Sequence, residues 1–266
     1  VAAQSDIVFA RTRHQYDSYT DFWTLVELAG FEVCHIDEID VSQPKFFVLT
    51  PWNGEVDPHL ANEQKKQRVG RVAWWCLERF DAMHVPFTQP IDQASALADE
   101  CWVSDRWTST RDPRLKYVRL GSDPRLGAPP LEPRYDFTHQ SYAWGRRESM
   151  YNRLKAMGLS EGRSCWGSDR HDVLRQSRLM LNLQQYPDPV TAPLRFAIAA
   201  AYHMPVVSES IQDADPVGAA IRTAPYDGIP DAVRVALADG MRQQAEELHE
   251  KLCVEFSFRK CVEAAL

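Results

Sequence analysis

The chain has 266 residues, 44% of them hydrophobic and 11% aromatic, which is enough apolar material for one large domain or two small ones. No window approaches the roughly 18 uninterrupted apolar residues of a membrane span, and the start VAAQSDIVFA lacks a basic-then-apolar secretory pattern, so a cytoplasmic location is expected. The net charge of −7 argues against a broad nucleic-acid footprint, and six cysteines with no C-x-x-C pair indicate neither a zinc site nor a disulfide framework.

Strands and helices alternate from the beginning. Asp6 to Ala10 (DIVFA) reads as a short buried strand. Ser18 to Gly30 then sets Phe22, Leu25, Val26 and Ala29 on one helical face, with Gly30 as its stop. FEVCHID, KFFVLTPWNG (Lys45 to Gly54) and the start of RVAWWCLERF (Arg71 to Phe80) supply three more strands, each bounded by polar, Gly or Pro residues. ALADECWVSDRW predicts a short helix leading into a strand around Glu100 to Ser104, and KYVRLG (Lys116 to Gly121) one more strand. Between Gly121 and Asp136 four prolines and two glycines disfavour regular structure and mark a linker.

After the linker the pattern restarts. DFTHQSYAW reads as strand and loop, RRESMYNRLKAMG as a helix with Met150, Leu154 and Met157 on one face, and RSCWGS as strand and turn. RLMLNLQQY reads as a buried strand, LRFAIAAAYH as a helix and MPVVSE as a strand, with helical segments from Asp231 onward. The expected fold class is therefore α/β, with two Rossmann-like domains facing across a cleft: residues 1–121, a linker at 122–134, and residues 135–266. Ligands in such folds bind outside the carboxyl ends of the strands.

The charge is unevenly spread. Arg106 to Arg178 holds 15 Lys and Arg against 8 Asp and Glu, which suggests a local anion site, or else an Arg-rich solvated face. Pro193 can open a helix whose first turn carries Arg195. A helix N-terminus favours anions, and an arginine there adds a planar fork that fits phosphate oxygens, although Arg195 could also lie along the surface over Phe196. Glu209 ends the MPVVSE strand, where a carboxylate can accept hydrogen bonds from ribose or sugar hydroxyls or simply form a rim charge. Tyr186 stands near a predicted strand end and could stack on a base. In the first half, the loop after the first strand combines Arg11, His14 and Asp17. Either His14 or Asp17 could act as a general base for an acceptor hydroxyl, or the loop could simply be solvated, and Glu78 is a third candidate or a salt-bridged structural glutamate. Asn53 and Gly54 are expected to form a tight turn that could let backbone approach a ligand, or a plain Asn-Gly turn.

The run APLRFAIAAAYHMPVVSE, preceded by SRLMLNLQQYPDP and WGRRESMYNRLKAMG, resembles the C-terminal domain of GT-B-type glycosyltransferases, most closely the small spore-maturation-type and phage-like members. YVRLGSDP looks like the strand and turn with which these enzymes enter their second domain. The likeness covers about Lys116 to Ser210 and extends to the first half by architecture alone. It implies that the second domain holds a nucleoside-diphosphate sugar, with a UDP-sugar as the expected co-substrate and no other cofactor, and that the first supplies the acceptor side and the catalytic groups. By position, Arg195 matches the family's P-x-x-R arginine, Glu209 its V-V-S-E glutamate, and Arg146 with Arg147 its basic pair. Two positions depart from the pattern: Ile198 stands where many members carry a ribose-binding glutamate, and His203 replaces a glycine.

Glycosyl transfer requires the leaving diphosphate to be neutralised, and Arg146, Arg147 and Arg195 are expected to do this without a D-x-D metal site. Either stereochemical course fits. The acceptor could also be DNA, as in phage enzymes that glycosylate hydroxymethylated bases, because Trp107, Tyr117, Tyr142 and Trp144 interleave with the basic residues. A third possibility is a binding protein that kept the fold and lost the chemistry.

Overall fold

A computed structural model describes residues 6–11, 19–50, 69–77, 88–163, 168–185, 192–211 and 217–266. The chain forms two compact units, the first comprising Val1–Arg119 together with Cys261–Leu266 and the second Leu120–Lys260.

The first unit contains β1 (Ile7–Arg11), α1 (Thr20–Leu28), β2 (Glu32–His35), β3 (Phe46–Leu49), β4 (Arg71–Cys76), α2 (Thr88–Leu97), β5 (Glu100–Val103), α3 (Arg106–Ser109) and β6 (Leu115–Tyr117). Its six strands lie in the order β2-β1-β3-β4-β5-β6, every pair parallel. The inner strands β1, β3, β4 and β5 are largely continuous buried apolar runs because both faces of a parallel sheet are covered, whereas the edge strands β2 and β6 carry polar residues. Phe9, Phe22, Trp75 and Trp102 interlock beneath α1, with Trp75 edge-on to both Phe22 and Trp102. The Trp75 indole N–H donates to Ser104 Oγ at 2.9 Å and that hydroxyl donates to the Val118 carbonyl at 2.8 Å, so the buried polar atoms are satisfied. Helix α1 buries Phe22, Leu25 and Val26 as its periodicity predicts. It stops in a Schellman motif: Gly30 N–H bonds to Glu27 O, Phe31 N–H bonds to Val26 O, and Gly30 takes φ 75°.

The second unit contains β7 (Phe137–Thr138), α4 (Arg146–Ala156), β8 (Glu161–Gly162), α5 (Ser168–Arg175), β9 (Met180–Asn182), α6 (Pro193–Ala201), β10 (Val206–Glu209), β11 (Arg222–Ala224), α7 (Ile229–Asp239), α8 (Arg242–His249) and a π-helical stretch Glu250–Glu255. A last helix, α9 (Phe258–Ala265), begins here and ends among the residues grouped with the first unit. The strand order is β11-β10-β9-β7-β8, again all parallel. Phe137, Leu154, Leu181, Val207, Ile229 and Val233 form its core.

Two sequence expectations change in detail. The Pro-rich segment is packed chain within the second unit: Ser122 donates from its amide to Leu252 O at 2.7 Å and from its hydroxyl to Ala197 O at 2.6 Å. A Cβ added at Gly127 would lie 1.9 Å from the Ala201 carbonyl oxygen, so glycine there permits contact with α6. Composition could not distinguish a solvated connector from a segment whose prolines and glycines fit it to neighbouring backbone. Strand β11 was not anticipated, because Arg-Thr-Ala carries no apolar alternation and is fixed by its pairing with β10.

Candidate functional site

In the second sheet the chain leaves β7 toward β8 and leaves β9 toward β10, so the strand order reverses between β7 and β9. Such a switch point leaves a crevice outside the strand ends, where ligands of α/β folds bind. The residues just beyond these strands, His139 to Ser141 and Leu183 to Gln184, are tied to three arginines.

Arg146 opens α4 after Gly145, whose φ of 59° favours glycine. Its Nη1 donates to Gln184 O at 3.0 Å and to Glu209 Oε2 at 2.7 Å, and its Nη2 donates to Glu209 Oε1 at 2.6 Å. The Tyr226 ring lies 4.1 Å from the guanidinium carbon, and its hydroxyl donates to the Arg146 carbonyl at 2.5 Å. Glu209, 8% exposed at the end of β10, also accepts the Gln184 N–H at 3.1 Å. The paired carboxylate holds the Arg146 guanidinium above its ordinary pKa. Arg147 is buried and donates from Nε to Leu183 O at 3.0 Å. Arg195, on the first turn of α6, donates from Nε to Gln140 O at 3.0 Å and from Nη1 to Asn182 Oδ1 at 2.6 Å. Asn182 is fully buried, and its amide reaches Ser208 Oγ on β10 at 2.8 Å.

The structure thus brings together Arg146, Arg147, Arg195 and Glu209, four residues expected from sequence to serve one site. The arginines occupy the strand-end carbonyls, whose negative poles would otherwise oppose an incoming anion. Among the described residues, the contacts of the cluster join three guanidinium groups and the Glu209 carboxylate. Ile198 is buried within α6.

Beside the cluster is a pocket of about 280 Å³, lined by His139, Ser141, Tyr142, Glu148, Tyr151 and Lys155 among others. His139 stacks on Tyr151 with ring centroids 3.9 Å apart and planes 9° from parallel. Tyr151 OH meets Ser141 Oγ at 3.0 Å, and Glu161 bridges His139 and Lys155, each at 2.9 Å. Burial holds the His139 imidazole below the ordinary histidine pKa, against the pull of Glu161 and the Ser141 carbonyl. Burial acts to raise the Glu161 carboxyl, but Lys155 and His139 outweigh it and leave the group below the ordinary value.

Sequence reasoning missed Gln140, Asn182, Gln184, Tyr226 and the His139–Glu161 pair. The available signal was Asn182 within the apolar run LMLNL, since a polar side chain in a buried strand needs partners.

In the first unit Arg11 lies at the carboxyl end of β1, where its Nη2 donates to Glu27 Oε1 at 2.5 Å and its guanidinium carbon is 5.0 Å from the Trp23 ring centroid. His14, Asp17, Asn53, Gly54, Glu78 and Tyr186 lie outside the described residues. No group of three or more metal-binding side chains occurs among the described residues. The sequence does contain one D-x-D triplet, Asp213-Ala214-Asp215, also outside the described residues, so the expectation of a site without this motif needs that correction.

No family model and no curated protein matches the chain in sequence. Solved structures match it in fold. The Anabaena protein HepE in complex with UDP-glucose superposes with a TM-score of 0.63 at 9% identity, over 97% of this chain and 98% of its own. An alpha-glucosyltransferase in complex with UDP-glucose and DNA containing an abasic site gives 0.58 at 8% identity, over 97% and 98%. TarM gives 0.58 at 9% identity over 83% of this chain, which spans about half (53%) of TarM. The chain has the two-sheet α/β fold of the GT-B glycosyltransferases. No helix among the described residues is long and apolar enough to cross a membrane.

Proposed function

We propose that this chain is a glycosyltransferase that moves a sugar from a UDP-sugar to an acceptor hydroxyl, with the donor diphosphate held at the switch point of the second sheet. The observation that carries the reading is the convergence of Arg146, Arg147 and Arg195 on the ends of β7 and β9. In this reaction the acceptor oxygen bonds to the anomeric carbon, and the bond from that carbon to the diphosphate oxygen breaks. The electron pair leaves with the diphosphate, and the acceptor proton passes to a base.

The charge developing on the diphosphate is what a preorganised positive cluster stabilises. Arg195 and the α6 N-terminus serve the phosphates, and Glu209, oriented by Arg146, accepts hydroxyls. The adjacent pocket, with tyrosine walls and polar edges, suits the base. Asp17, His14 and Glu78 are the proposed bases, and Arg11, Asn53 and Gly54 the acceptor side.

DNA is a second reading for the acceptor. It is favoured by the exposed Tyr142 and Trp144 beside the basic cluster, together with the fold likeness to an alpha-glucosyltransferase solved with DNA. Calorimetric titration with UDP and UDP-sugars, with and without chelator, followed by donor turnover with and without hydroxymethylated DNA, tests these readings. Nucleotide binding without turnover on any acceptor would make the protein a binder. Absence of nucleotide binding in folded protein would remove the proposal.

A further inference from the structure

His139 directly follows β7 and is 2% exposed. Its Nδ1 lies 3.0 Å from the Ser141 carbonyl oxygen and its Nε2 2.9 Å from Glu161 Oε1. A neutral imidazole has one donor and one acceptor nitrogen. The carbonyl can only accept, and the Glu161 carboxylate, with Lys155 Nζ 2.9 Å from its other oxygen, also only accepts. Both contacts are therefore hydrogen bonds only when the ring carries two protons. The parallel Tyr151 ring offers that cation a π face. Among the described residues, the charged and titratable groups around the ring are Glu161 on β8, Lys155 and Tyr151 on α4, and Arg195 on α6, with Glu148 and Arg163 lining the same pocket.

The two contacts grip the chain on either side of Gln140, whose carbonyl receives Arg195 Nε at 3.0 Å. Ser141 is held a second time through Tyr151 OH. Arg195 is thus anchored at Nε by a short backbone segment that the imidazole secures, and at Nη1 by Asn182.

We propose that His139 is a pH-sensitive positioning residue: its doubly protonated ring clamps residues 139–141 between Glu161 and the Ser141 carbonyl, and thereby orients Arg195 toward the donor diphosphate. Loss of one proton leaves one acceptor facing a bare nitrogen, and that end of the clamp opens. The orienting role rests on the nucleotide-sugar reading above; the protonation state does not.

The test uses the full chain labelled with ¹⁵N. Ring-nitrogen shifts of His139, identified by their loss in His139→Asn, are followed without ligand from about pH 5 to about pH 8. Two protonated nitrogens at the acid end are expected, with one transition on the acid side of the ordinary histidine value. UDP affinity by calorimetry should fall about ten-fold across the same transition, the worth of one charged hydrogen bond. Glu161→Gln should flatten that profile, because an amide can donate to a neutral Nε2. His139→Asn should bind UDP more weakly at every pH.

One ring nitrogen bare throughout the range would overturn the clamp. An unchanged pH profile in Glu161→Gln would do the same, and this arm stands even where His139→Asn fails to fold. A ring that titrates as expected in protein that binds no UDP at any pH would support the clamp and overturn both the role given to Arg195 and the donor reading.

Discussion

At the scale of single residues, the site is built by arginines whose hydrogen bonds are largely made within the protein. Arg195 spans α6, Asn182 and Gln140, so Arg195→Ala should weaken UDP binding by about 1–3 kcal/mol, the range for a charged hydrogen bond. Calorimetry checks this, with far-UV circular dichroism showing the fold retained. Glu209 and Arg146 form a two-pronged pair with side-chain exposures of 10% and 22%. Glu209→Ala strands a largely buried guanidinium and should cost about 2 kcal/mol in urea unfolding. Asp227 is 93% exposed and 3.9 Å from Arg153, so Asp227→Ala should change stability by less than about 0.5 kcal/mol. Equal effects from these two variants would contradict the burial argument.

At the scale of elements, the β7–β8 edge depends on carboxylates. Asp136 accepts from the Ser160 amide and hydroxyl, both at 2.8 Å, and pairs with Arg178 at 3.3 Å. Burial alone would raise its pKa, but these partners outweigh it and hold it below the ordinary value, as happens at Glu161. A group whose folded pKa is depressed contributes stability above its unfolded value of about 4 and loses it as pH falls through the folded one. The carboxylates' share of the urea midpoint should therefore hold from neutrality to about pH 5 and drop below about pH 4, and Asp136→Asn should blunt that drop; His139, held below the ordinary histidine pKa, adds a separate loss as pH falls below about 6.5. A second element-level prediction concerns α4, which starts from Gly145 at positive φ with open space where a Cβ would go. Gly145→Ala should cost about 1–3 kcal/mol through backbone strain, since φ 59° with ψ −130° is a region that glycine alone occupies readily.

At the scale of the whole molecule, the donor reading places nucleotide on the second unit, beside the strand ends of one five-stranded sheet. UDP at about 100 times its dissociation constant should add about 2.7 kcal/mol of stability. Hydrogen exchange should show the protection concentrated at residues 139–147, 182–184 and 209. Chelator should leave UDP affinity unchanged if the arginines carry the diphosphate. A loss of affinity with chelator that is matched in Asp213→Ala would give that task to a metal and to the D-x-D triplet.

The alternation of apolar strand runs with amphipathic helices determined the α/β class, and Phe22, Leu25 and Val26 or Leu154 needed no structure to be recognised as core, because burial imposes its period on the sequence. Arg195 and Glu209 were legible for a similar reason, since a charge next to an apolar helix or strand marks the end of that element. The partners of those charges were not legible. That Arg146 holds Glu209, that Arg195 reaches Gln140, and that His139 meets Glu161 follow from the strand order β11-β10-β9-β7-β8, which sets segments 22 to 63 residues apart side by side. Sequence by itself determined which residues could form elements, because those preferences are local. Only the tertiary structure decided which strand ends share a crevice, because pairing between distant strands is chosen by the packing of the whole sheet.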